Sequence, residues 1–209
     1  MKLKGWKFIR SDHRMQFTDQ RELIAGQVYE NPLNADGRAG PLVLCERGFH
    51  ASLKARDALR YARLGMTHVA RVDVSGVGPQ DDTKFCGDSM KVLWVADATQ
   101  TLRLFMVWCR WKQMLHRLRG REPSLASLWA LDAAERFILG EADEDEISAA
   151  YVAAAATYAA ASDAAAAADA ADVAAATYAA TYAAAAAATY AAAAAVDQEL
   201  TARLMELAP

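Results

Sequence analysis

His50 and Ser52 stand two residues apart in Gly48-Phe49-His50-Ala51-Ser52, between a short apolar segment and a run with helical spacing. An imidazole and a hydroxyl at such a junction can bind a ligand or move a proton if a cleft opens beside them. Without a cleft they read as a turn histidine and a helix N-cap. Arg10 and His13 flank Ser11-Asp12 after an aromatic and basic segment. A guanidinium there suits a phosphate, and the alternative is a charged hairpin turn. Asp81-Asp82, two residues before Lys84, form an acidic turn, either a pair of carboxylates aimed at a substrate or a solvated loop. Cys45, Cys86 and Cys109 have no paired spacing and no Cys-x-x-Cys arrangement. They are read as buried thiols of a reducing cytosol, and no metal site is expected. No P-loop, GxGxxG, HExxH or nucleophile elbow occurs.

The elements that must hold these residues follow from periodicity. Residues 5–10 alternate, with Trp6 and Phe8 on one face, and predict a first strand. A second possible strand lies within 17–29, broken at Gly26. Turn chemistry marks a loop from Asn31-Pro32 to Gly40-Pro41, and 42–45 reads as a short apolar strand that ends before His50. Residues 53–64 predict a helix with Ala55, Ala58, Leu59 and Ala62 inward and Ser52 as its N-cap. Residues 69–74 and 90–96 predict two more strands, with the Gly-, Pro- and Asp-rich turn 76–82 after the first.

The character changes near Thr99. Residues 102–119 predict a helix ended by Gly120, and Pro123-Ser124 opens another that stops at Gly140. Arg103, Arg110, Arg117 and Arg119 ride on the first of these. They are either phosphate contacts for a nucleic acid, with Trp108 and Trp111 to stack on bases, or snorkelling heads of a core helix. The acidic run 141–146 announces a further helix, since acidic groups suit a helix N-terminus. From 149 to 195 about two residues in three are alanine, interrupted by Thr-Tyr pairs and Asp163, Asp169 and Asp172. Alanine makes helix the default there and permits close helix approach, so self-association through 149–195 is expected.

The fold class expected is α+β: a small mixed or antiparallel sheet with one or two helices over 1–98, a helical pair over 99–140, and an alanine-rich helical extension over 141–209. The 209 residues carry a net charge of −3 that conceals a split. Residues 1–121 hold 21 basic and 12 acidic side chains, and 122–209 hold 2 and 14. The N-terminus has charges without an apolar run behind them, and the alanine tract is too weakly apolar for a bilayer. A cytoplasmic protein without a membrane partner is therefore expected.

Gly48-Phe49-His50, Asp57-Ala58-Leu59 and Val72-Asp73-Val74-Ser75-Gly76 together resemble an uncharacterised phage and prophage domain over roughly residues 4–97. Such domains are often followed by low-complexity repeats. The order of elements is also similar to the small ADP-ribosyltransferases of the rifamycin-modifying type. The matching pieces are Phe8-Ile9-Arg10, Leu23-Ile24-Ala25-Gly26, Phe49-His50-Ala51-Ser52 and Gly78-Pro79-Gln80-Asp81-Asp82. That resemblance implies NAD as cofactor, with Arg10 or His13 holding it. It implies Phe49 or His50 at the nicotinamide, and Asp81 or Asp82 guiding the transfer. Arg10-Ser11-Asp12 stands where that family carries His-Gly-Thr. The leading expectation is therefore a non-catalytic interaction module with a protein partner, a phage-type accessory protein acting on a host or defence protein. The transferase, or a degenerate nucleotide-binding relative, is the alternative.

Overall fold

A computed structural model describes residues 1–15, 21–31, 40–63, 65–118, 122–160 and 194–209. The fold is α+β. The chain divides into two units, Met1–Thr99 with Ala191–Pro209, and Gln100–Tyr190. The last helix thus belongs with the sheet rather than with the extension to which the sequence assigned it.

In the first unit, strands β1 (Lys2–Ile9), β4 (His68–Ser75), β6 (Ser89–Asp97) and β2 (Val28–Glu30) form an antiparallel sheet in the order β1-β4-β6-β2. Strands β3 (Phe49–Ala51) and β5 (Phe85–Gly87) pair separately. Ile9, Val72, Val74, Phe85, Met90 and Val92 pack into one core with Phe49 and Tyr29. On β1, β4 and β6 the register aligns Trp6, Arg71 and Trp94 in one row across the sheet. The Arg71 guanidinium lies 4.4 Å from the Trp6 ring centroid, a cation–π contact that shields a charge held in the sheet. Gly5 lets the second sheet approach. A Cβ there would lie 2.5 Å from Ala51 Cβ and 2.9 Å from Phe85 Cζ.

Helix α1 spans only Ala55–Leu59. Ser52 does not cap it: Ser52 N and O bond to Trp6 O and N at 3.1 and 2.7 Å, which ties the residue to β1. Lys54 takes the N-cap position without a side-chain bond. The orphan N–H of Arg56 is instead met by Asp197 Oδ1 at 3.1 Å, from helix α5 (Ala194–Met205). Leu200 and Leu204 of α5 are fully buried. The strand expected at 42–45 is also corrected. Val43 pairs with Arg47 across a tight turn, Cys45 has φ +71°, and the strand begins at Phe49. Apolar composition suggested a strand, but Leu44-Cys45-Glu46 reverses the chain, and Gly48 with φ +120° leads from that turn into β3. Part of the strand expected within 17–29 falls outside the described residues, and only Val28–Glu30 is strand.

In the second unit, α2 (Thr99–Leu118), α3 (Leu125–Leu139) and α4 (Glu144–Ala160) follow the expected pattern closely. Ser124 Oγ accepts from Ser127 N at 3.1 Å, and Gly140 ends α3 at φ +78°. Asp143 Oδ1 accepts from Glu146 N at 2.8 Å, so the acidic run does open a helix. Val107, Met114, Leu131, Ile138, Ile147 and Ala150 make its core. Most of the stretch expected to self-associate, 149–195, lies outside the described residues. Among the described residues, no helix is long and apolar enough to cross a membrane.

Candidate functional site

One cleft of about 950 Å³ opens on the first unit, against β1, β3, the 43–47 turn, and the segment that follows α1. Phe49, His50 and Ser52 all line it, as the sequence reading required of a binding role. Arg10, His13, Asp81 and Asp82 are not among its lining residues. Arg10 pairs with Asp12 at 3.1 Å across an exposed turn. His13, with φ +58°, lies against His68 with ring centroids 5.0 Å apart, and its carbonyl accepts from Leu23 N at 2.8 Å. These two residues therefore close a charged turn.

Asp81 is committed to its own loop. Its Oδ1 accepts from Thr83 N at 2.7 Å and from Lys84 N at 2.8 Å, and these backbone donors hold its carboxyl below the usual range. Asp82 is exposed beside it. Arg10, and Asp81 or Asp82, which the transferase resemblance sets beside His50, do not line the cleft that His50 lines.

His50 has a different job from the one its position suggested. Its Nε2 accepts from Cys45 N at 2.8 Å, and its carbonyl accepts from Lys7 Nζ at 3.2 Å. The first bond fixes a non-glycine residue in the left-handed region, a conformation that persists only when neighbours hold it. Burial, then the charges of Lys7 and Lys84, lower the imidazole pKa from its ordinary value, against an opposing pull from the Val43 and Gly48 backbone. Neutral His50 is the form that can accept the Cys45 N–H.

Cys45 corrects the reading of three buried thiols: Cys86 and Cys109 are buried, but Cys45 is exposed at the cleft. Lys84 Nζ bonds to Cys45 Sγ at 2.7 Å and lies 4.5 Å from the Tyr61 ring centroid. The sulfur is the first cause of a raised Lys84 pKa. Tyr61 OH shares a 2.6 Å hydrogen bond with Thr83 Oγ1, which joins the post-α1 segment to the 81–84 loop. Sequence reading missed Cys45, Tyr61 and Lys84 as a group, because contacts 16 to 39 residues apart leave no local period to read. The Gly48 that follows Glu46-Arg47 was the one available signal, since it marks a turn rather than a continued strand.

The charge of the cleft is lopsided. Among the described residues, six that line it are Lys or Arg, from Lys7 to Lys84, and two, Glu30 and Glu46, are acidic. Several of these cations have partners of their own; Arg60, for example, approaches Asp57 at 3.9 Å. The excess still sets a positive field in a concave surface, where low-dielectric walls focus it. Trp6, Phe8, Phe49 and Tyr61 supply aromatic lining. Among the described residues, no group of three metal-ligating side chains occurs.

The basic helix is less open to a nucleic acid than its composition suggested. Arg110 is buried and donates to Gln113 Oε1 at 3.1 Å, Trp108 stacks on Phe105, and Trp111 packs against the helical core. Arg103 Nε is also buried. Arg119 lies outside the described residues. No protein-family model matches the chain, and neither a curated protein nor a solved structure matches it.

Proposed function

We propose that the sheet unit is a non-catalytic binding module whose cleft takes a small anion bearing a flat ring, a nucleotide by chemical class. The observation that carries this reading is the six-to-two excess of basic over acidic side chains, among the described residues, around a cleft of about 950 Å³. Cations attract phosphate, and the exposed Tyr61 ring can accept a base. A volume of this size suits a drug-sized ligand. Catalysis by Asp81 or Asp82 is not part of the proposal, since neither lines the cleft and Asp81 is engaged by its own turn.

Calorimetric titration with ATP, NAD and inorganic phosphate tests it. Nucleotide binding that weakens with salt, and weakens about tenfold or more in Arg47→Glu, is the expected result. Absence of heat and of thermal stabilisation with both nucleotides at millimolar concentration would remove the reading. Labelled-NAD transfer in the same samples is expected to be absent.

A further inference from the structure

Cys45 is not an isolated thiol. Its sulfur is held against an ammonium, its backbone N–H is held by His50, and it faces the cationic cleft. A thiolate is the reactive form of cysteine in disulfide exchange. Lys84 is anchored through both its backbone and its side chain. The Asp81 carboxylate accepts from Lys84 N, and the Tyr61 ring lies beneath Nζ. An exposed sulfur fixed in this way can be attacked or can attack without rearrangement of the turn. Cys86 and Cys109 are buried and serve as internal references.

We propose that Cys45 is an S-thiolation site that forms a mixed disulfide with an anionic low-molecular-weight disulfide drawn into the cleft. The Cys45 thiolate attacks one sulfur of the incoming disulfide, and a new S–S bond forms as the old one breaks. The departing thiolate carries away the electron pair and takes a proton from solvent. The protein sulfur is oxidised, half of the small disulfide is reduced, and a thiol reverses the step. Lys84 Nζ lies 2.7 Å from the attacking sulfur, and the basic lining, Lys7 and Arg47 included, attracts the anionic reagent. The proposal uses the same positive field as the nucleotide reading but does not need a nucleotide to be the ligand.

The test exposes the full chain to oxidised glutathione, which is anionic, and to cystamine, which is cationic, and maps the adducts by peptide mass spectrometry. Modification of Cys45 ahead of Cys86 and Cys109 is expected, with glutathione disulfide reacting roughly tenfold faster than cystamine at low ionic strength. That preference should shrink in high salt, fall in Lys84→Met and return in Lys84→Arg. A cystamine rate equal to or above the glutathione rate would overturn the proposal, as would a preference unchanged by salt. The salt comparison uses unaltered protein and so stands even if a variant fails to fold. If nucleotides do not bind but the charge preference holds, the nucleotide reading fails alone.

Discussion

At the scale of single residues, His50 shows how a reactive side chain can be spent on geometry. Its lowered pKa means that protonation favours the unfolded chain. The associated stability is fully present above the ordinary value of 6.5, and is lost as the pH falls through it towards the lower folded value. His50→Gln, whose amide oxygen can accept the Cys45 N–H, should flatten this dependence. Urea midpoints between about pH 7.5 and pH 5 check it, and identical slopes for the two proteins would count against the assignment. His50, Phe49 and Ser52 were legible as cleft residues because an aromatic, an imidazole and a hydroxyl follow one another beside a turn, which is a local feature. Arg10 and Asp81 misled because a charged turn and a charged site have the same composition. What separates them is whether the local backbone already uses the charge, as Thr83 N and Lys84 N use Asp81.

Elements were legible where one period ran long enough, and illegible where contacts were distant. Helices α2 and α3 and strands β4 and β6 follow their apolar spacing to within a few residues. The short strand β5 and the brevity of α1 do not, because both depend on partners far along the chain. Two substitutions probe those partnerships. Gly5→Ala must push β1 away from Ala51 and Phe85, and should cost about 1–3 kcal/mol in a denaturation experiment. Asp197→Ala removes the side-chain acceptor of Arg56 N and should cost about 1 kcal/mol. In the second unit, Arg136 bonds to Glu146 through two nitrogens and also to Glu141 O, bridging the end of α3 to the start of α4. Its carboxylate partner is partly exposed, so a double-mutant cycle on Arg136 and Glu146 should return a coupling of about 0.5–1 kcal/mol that falls with salt.

At the scale of the whole molecule, the sheet unit is built from both ends of the chain. No sequence period announces that a helix at 194–205 will cap one at 55–59; only the burial of Leu200 and Leu204 and the Asp197 bond do so. Leu200→Ala should therefore destabilise the sheet unit by about 2–5 kcal/mol, although it lies beyond the alanine-rich region. A thermal melt monitored by tryptophan fluorescence, with Trp6 and Trp94 as reporters in the sheet, would register the loss. The same arrangement orders events during synthesis. Asp197 follows Arg56 by 141 residues, and at a synthesis rate of about 5–20 residues per second roughly 7–30 s pass before it exists. For that interval the nascent sheet carries α1 with the Arg56 N–H unmet and without the helix that packs against it. The ribosome-bound intermediate is thus the form of this protein most exposed to chaperones and to premature association, and the arrival of α5 is the step that closes that window.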